Sequence, residues 1–339
     1  MPTRIYDPGA DMNDQQIVEA LRAVQNQISW VDREILAREI CEARKVQFPN
    51  VFDGSQSDAR LSQLRARGHC NAPFQVDKAI CRDVIAYFTQ RPCYNHHVDL
   101  NHDGILRSVA ETAKIAIYGS YGLEQNLTAP HILELALDPR LLDLAGGYLG
   151  CIPSIYSINT FWSFPATEVG NTQTFHYDED DFKFITLFIY WTGMEKSEGE
   201  LYYVEKTHDL QEVEARIAKK RWARMISRAL RSIRSAEELR RVTRKRRNKA
   251  LSYLFPKEVV CITGPAGKAI MVDTFGIHRG SLPRTQARLC TWIRYGLYAN
   301  WGYAVTKYKP VPVSLVRGRI ATDNVTQFVT RLMLDWRAV

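Results

Sequence analysis

The chain has 339 residues, 45% hydrophobic and 24% charged, which allows one large or two ordinary domains with a sizeable core. Its seven cysteines are odd in number and show no CxxC spacing; this argues against a disulfide framework or zinc knuckle and makes a reducing, cytoplasmic compartment the expectation. No stretch reaches the roughly 18 uncharged apolar residues of a membrane span, and MPTRIYDPGADMNDQQ at the start holds no signal-type apolar run. The net charge of +8 is local. Residues 211–250 carry 15 Lys and Arg against 4 Asp and Glu, so the remainder of the chain is slightly acidic. Any polyanionic partner is therefore a question about that segment.

The first half, 1–150, reads as a helical layer. From Asp14 to Arg44 apolar residues fall at Ile17, Leu21, Val24, Ile28, Val31 and Ile35, a spacing of three and four that predicts one buried stripe. Further helices are predicted at 77–90 and 105–117, and a pair within 130–148 interrupted at Pro139. After Gly150 the pattern changes to short runs rich in β-branched and aromatic residues: 155–164, 182–191, 200–204, 258–262, 268–272 and 288–298. Bounded by Gly, Pro, Asn or Asp, these suit strands of a barrel or jelly roll. The β section therefore comprises 151–208 and 257–300, split by a basic helical insert at 209–256. The segment 301–339 follows, ending in a predicted helix at 324–337.

Chemistry concentrates on His176-Tyr177-Asp178 and His278. Residues i and i+2 of a strand share a face, so His176 and Asp178 can reach one ion together, with His278 as third ligand. Two imidazoles and a carboxylate on one side of an octahedron leave three open positions, an arrangement suited to non-haem Fe(II). Ten residues beyond His278 stands Arg288, whose planar fork suits the far carboxylate of a chelating dicarboxylate. Arg284 and Arg294 are the alternatives for that role. Strand alternation can also turn Gln173, Asn159, Thr186 and Tyr190 toward the pocket.

These segments resemble the phytanoyl-CoA dioxygenase-like Fe(II)/2-oxoglutarate oxygenases. The resemblance rests on QTFHYDED (173–180), FITLFIYW (184–191), EGELYYVEKTH (198–208), FGIHRGSLPRTQARLCTWIRY (275–295) and the upstream LALDPRLLDLAGGYLG (135–150). It implies an α+β fold with a double-stranded β-helix, a cupin-like jelly roll. It also implies Fe(II) held by His176, Asp178 and His278, and 2-oxoglutarate as co-substrate with its C5 carboxylate on Arg288. The expected reaction is hydroxylation of an aliphatic C–H, with desaturation or cyclisation open to the same chemistry. The presence of Asp178, rather than Ala or Gly, speaks for this and against a halogenase. The sequence departs from the family where Glu205-Lys206-Thr207 replaces the usual Pro-Gly-Ser, and His208 is read as structural. A cupin-like metal enzyme without 2-oxoglutarate, or a non-catalytic membrane- or polyanion-binding protein, are the rival readings.

Two further features stand apart. Within NHHVDLNHDG (95–104), Asp99-x-Asn101-x-Asp103-Gly104 begins like a calcium loop, but the twelfth position counted from Asp99 is Ala110, so a polar helix-capping loop is expected instead. In the insert, Ile217, Trp222, Met225, Ile226, Leu230 and Ile233 form one face of a predicted amphipathic helix. Ser235-Ala236-Glu237-Glu238 reads as a capping box for a second helix carrying Arg240, Arg241 and RKRR (244–247). The substrate is expected to be a small or carrier- or CoA-linked molecule; an anionic one would suit the basic insert, which is also the segment that could meet an acidic carrier or an anionic membrane. Nucleic acid is disfavoured, because no aromatic stacking platform accompanies the charge.

Overall fold

A computed structural model describes residues 29–55, 59–95, 105–166, 173–220, 233–297 and 310–337. The predicted helical start at 14–28, most of the NHHVDLNHDG cluster and the Trp222–Leu230 part of the insert lie outside them.

Ten strands build two antiparallel sheets: β1 (His69–Asn71), β2 (Tyr94–Asn95), β3 (Tyr118–Ser120), β4 (Ser154–Ser163), β5 (Phe184–Tyr190), β6 (Leu201–Val204), β7 (Val259–Ile262), β8 (Lys268–Val272), β9 (His278–Gly280) and β10 (Arg288–Gly296). The large sheet runs β1-β8-β5-β10-β4-β3-β2 and the small one β7-β6-β9. A period of two decides what each face of the large sheet meets. Ile185, Leu187 and Ile189 of β5, Ala269 and Met271 of β8, and Leu289, Ile293 and Tyr295 of β10 join the main core against the helices. Their neighbours Tyr190, Ile270, Val272 and Cys290 point the other way and pack with Leu201, Tyr203, Val260 and Ile262 of the small sheet. A sheet covered on both faces explains why its strands read as near-continuous apolar runs.

The strand runs of the second half appear within a residue or two of their predicted bounds, but three short strands, β1–β3, arise within the half read as helical. Each is two or three residues long, too short to show alternation. Helices form at Lys78–Thr89 and, around the predicted break, at Ile132–Ala136 and Pro139–Leu149. The latter starts with Asp138 accepting from Arg140 N and Pro139 at its first turn. The helix predicted at 105–117 shortens to Val109–Thr112. The one predicted at 324–337 stops at Thr330, and Leu334–Asp335 pairs in parallel with Val311–Pro312 instead.

The helix Trp30–Gln47 corrects the predicted stripe. Val31 and Ile35 are 46% and 43% exposed, whereas Arg33, Ala37, Ile40, Cys41 and Arg44 are buried. The periodicity is still helical, but the inward face is set by two arginines. Arg33 Nε donates to Phe182 O at 3.2 Å and Arg44 Nη1 to Ile152 O at 2.7 Å, so each guanidinium satisfies carbonyls that would otherwise be left without donors.

Among its described residues the insert contains the helices Leu210–Lys219, Ala236–Arg241 and Arg244–Leu254. Asp209 caps the first, accepting from Gln211 N and Glu212 N. Ser235 Oγ caps the second, accepting from Glu238 N at 3.1 Å; the other half of the predicted capping box does not form, because Glu238 Oε2 accepts from Arg234 N instead of Ser235 N. Leu210, Val213, Ile217, Leu239, Leu251 and Phe255 make a small core of their own, which also takes in Ile277, the residue before His278. No helix among the described residues is long and apolar enough to cross a membrane.

Candidate metal centre

Two backbone hydrogen bonds join the segments that carry the histidines. His176 N donates to His278 O at 2.9 Å and His278 N to His176 O at 2.8 Å, extending the small sheet beyond β9. Asp178 N donates to Thr274 O at 2.8 Å, which fixes the carboxylate two residues on. One ligand atom from each of His176, Asp178 and His278 then lies within 4.8 Å of the others, a group that could hold a metal ion. The two rings are 4.3 Å apart between centroids. His176 Nε2 and His278 Nε2 each stand 3.9 Å from an oxygen of Asp178.

The tautomer follows from the second nitrogen of each ring. His176 Nδ1 lies 2.8 Å from Thr174 O and His278 Nδ1 lies 2.9 Å from Gly276 O. A carbonyl only accepts, so each Nδ1 donates, and in the neutral ring the lone pair is then left on Nε2 facing Asp178, the tautomer a metal needs. Burial, the largest influence on Asp178, opposes its charge. Arg294, then His278 and His176, and a hydrogen bond from Thr274 outweigh it, and the carboxyl is held below its ordinary value.

The cavity beside these three side chains has a volume of about 180 Å³. Alternate residues of β10, Arg288, Cys290, Trp292 and Arg294, form one wall, with Asn159 and Phe161 of β4 and Phe188 and Tyr190 of β5 beside them. Arg288 is 6% exposed; it donates to Ser163 Oγ at 2.8 Å and to Gly199 O, and its Nε has no partner. No carboxylate pairs with it among the described residues. The guanidinium therefore brings an uncompensated positive charge to a buried cavity wall, which is costly unless an anion joins it.

The other candidate arginines are placed differently. Arg284 is exposed in the turn before β10, where its backbone N donates to Glu198 Oε2 at 3.2 Å. Arg294 lines the cavity but is committed: it donates to Asp178 Oδ2 at 3.1 Å and pairs with Asp180. A register shift in β10 between Arg294 and Tyr295 accompanies this turn toward the carboxylates. Arg294 also lies over the Trp292 ring, 4.5 Å from its centroid.

Asn159 and Tyr190 line the cavity as expected from alternation, but Gln173 and Thr186 stand one layer back. Gln173 is buried and donates to the Tyr118 hydroxyl, so it touches the cavity only through Tyr118. Thr186 Oγ1 meets Thr274 Oγ1 at 3.2 Å, behind Asp178. His208 does not line the cavity; its Nε2 bonds Arg65 O at 3.0 Å. Trp292, Tyr118 and Phe161 are cavity residues that the sequence did not single out. For Trp292 a signal existed, since it continues the even-numbered face begun by Arg288 and Cys290. Tyr118 lies on a three-residue strand and gave none.

No protein-family model matches the chain, and no curated protein matches it by sequence. Among solved structures, it is similar to HygX from Streptomyces hygroscopicus with nickel, 2-oxoglutarate and hygromycin B bound, at 13% identity over 71% of this chain and 87% of that one, TM-score 0.44. It is similar also to SnoK, a non-heme alpha-ketoglutarate-dependent carbocyclase from nogalamycin biosynthesis, at 16% identity over 70% and 83%, TM-score 0.41. A third is AviO1 from Streptomyces viridochromogenes Tue57, at 15% identity over 70% and 93%, TM-score 0.40.

Proposed function

We propose that this chain is an Fe(II)- and 2-oxoglutarate-dependent dioxygenase that hydroxylates an aliphatic C–H of a small or carrier- or CoA-linked substrate. The observation that carries the reading is the convergence, in one cavity, of a His-Asp-His ligand set with a buried arginine that lacks a carboxylate partner. Two antiparallel sheets packed face to face support a double-stranded β-helix as the frame.

The donor set fits iron. Two neutral imidazole nitrogens and one carboxylate suit a divalent non-haem centre that keeps positions open. When bound, iron with 2-oxoglutarate and O2 supplies oxidation of a C–H bond, with succinate and CO2 as co-products. The chain's part is to bind and to orient. His176 and His278 are kept in the ligating tautomer by Thr174 O and Gly276 O. Asp178 is kept ionised chiefly by Arg294. Arg288 would take the C5 carboxylate of 2-oxoglutarate, and in doing so its charge gains the partner it lacks. Phe161, Phe188, Tyr190 and Trp292 keep the cavity walls apolar, which strengthens that pairing by excluding water.

The test is conversion of 2-oxoglutarate to succinate by the Fe(II)-loaded protein, in wild type, His176→Ala and Arg288→Ala. Turnover is expected in wild type and absent in His176→Ala. In Arg288→Ala the KM for 2-oxoglutarate should rise about 30-fold or more, corresponding to roughly 2 kcal/mol for a lost buried charge partner. Indifference to Arg288→Ala would favour a cupin-like metal enzyme that does not use 2-oxoglutarate.

A further inference from the structure

The insert supplies two arginines that face inward, and both grip the backbone segments that carry the metal ligands. Arg240, on helix Ala236–Arg241, is 7% exposed; Nη2 donates to Phe275 O at 2.7 Å. Its guanidinium lies over the Phe275 ring at 3.7 Å and over the Tyr177 ring at 4.3 Å from the centroids. Tyr177 sits between ligands His176 and Asp178, and Phe275 lies three residues before His278. Arg247, on helix Arg244–Leu254, is likewise 7% exposed and donates to Phe175 O at 3.2 Å, the residue before His176. It also donates to Arg240 O and lies 5.2 Å from the Tyr177 ring centroid. Arg240 forms no ion pair with a carboxylate among the described residues, and its Nη1 has no partner. Its charge rests instead on two aromatic faces and a carbonyl, contacts that desolvation strengthens. Burial, the largest influence, brings the group down to about 10, so it is still a cation at neutral pH.

We propose that the insert is a brace for the metal centre, with Arg240 and Arg247 as positioning residues that hold the Phe175–Asp178 and Phe275–His278 segments in register. The proposal rests on the metal reading above and deepens it. Neither arginine lines the cavity. They act through the backbone that orients His176, Asp178 and His278. Tyr177, the middle residue of the HxD motif, turns away from its two ligating neighbours because alternation sends it to the opposite face, and the arginines receive it there. The Ile277 side chain, buried in the insert's own core, ties the second segment to the same body.

The test is Co(II) binding to the metal-free full chain, followed by visible absorption and calorimetry, alongside the denaturation midpoint. Arg240→Ala and Arg247→Ala are expected to weaken Co(II) binding about 10- to 100-fold, the usual effect of losing a group that orients ligands, and to alter the Co(II) spectrum. Arg241→Ala, at an exposed position one residue away, should leave both unchanged. A role in stability alone would lower the midpoint and leave affinity and spectrum as in wild type, and that result overturns the brace. Should the alanine variants fail to fold, Arg240→Lys, which keeps charge and length but loses the planar stack, decides: wild-type affinity and spectrum there overturn it. A wild-type chain that takes up no Co(II) would instead remove the metal reading itself, and the brace with it.

Discussion

The Arg288 guanidinium is 6% exposed, bonded to Ser163 Oγ and Gly199 O, and faces no acid among the described residues; on the proposed function the far carboxylate of 2-oxoglutarate would complete its charge. Gly199 matters to it in a second way. It adopts φ +92°, and a Cβ there would stand 2.9 Å from Arg288 Cδ and 3.0 Å from Nη1. Gly199→Ala therefore strains the turn by about 1–3 kcal/mol and pushes Arg288 out of line. The expected outcome is 2-oxoglutarate binding weakened about tenfold or more, read by calorimetry on the metal-loaded protein, with metal affinity unchanged. Unaltered 2-oxoglutarate affinity would remove Arg288 from the role. At this scale the clustering of His176, Asp178 and His278 beside Arg288 in one cavity was legible, because residue types and spacing are chemical constraints. Arg294's commitment to Asp178 and Asp180 was not, because ion pairing across 116 residues leaves no local trace.

At the scale of elements, the turn before β9 and the edge strand β1 meet at one side chain. Tyr203 OH donates to Asp273 O at 3.0 Å and fills the space over both Gly68 and Gly276; a Cβ would lie 2.1 Å and 2.0 Å from that oxygen. Gly276→Ala forces the ring or the turn to move, and overpacking of this kind costs about 1–3 kcal/mol. Chemical denaturation should show that loss together with weaker metal binding, since Gly276 O holds His278 Nδ1. A stable variant with wild-type metal affinity would contradict it. His69 on β1 gives a pH prediction. Burial, the largest influence, lowers its pKa, and the 2.9 Å bond to Glu205 opposes this without prevailing. The unfolded chain then takes up the proton first, so this contribution is present above about pH 6.5 and is lost as pH falls. Between pH 7.5 and 5.5 the wild-type midpoint should drop more steeply than that of His69→Gln; parallel slopes would contradict the assignment. The long strands were legible from composition, whereas β1–β3 draw their order from pairing with β8 and β4, which no window of the sequence displays.

Across the whole molecule, the described basic side chains of 211–250 do not share one environment. Arg240 and Arg247 turn inward onto the ligand segments, while Arg234, Arg241, Lys245 and Lys249 are exposed. The sequence marks the segment as basic but cannot distinguish these groups, because which arginine is buried depends on where the aromatic faces of Tyr177 and Phe275 arrive. The same holds for Trp30–Gln47, where arginines rather than Val31 and Ile35 face the core. Two sheets, a helical layer and an insert thus surround a His-Asp-His set that shares a cavity with an arginine lacking a carboxylate partner among the described residues. The most direct measurement of that claim is an anaerobic titration of the metal-free chain with Fe(II) and 2-oxoglutarate, followed by visible absorption. A weak charge-transfer band that saturates at one iron per chain, needs both components and is missing in His176→Ala is the predicted result. No band in wild type, or an equal band in His176→Ala, would contradict it.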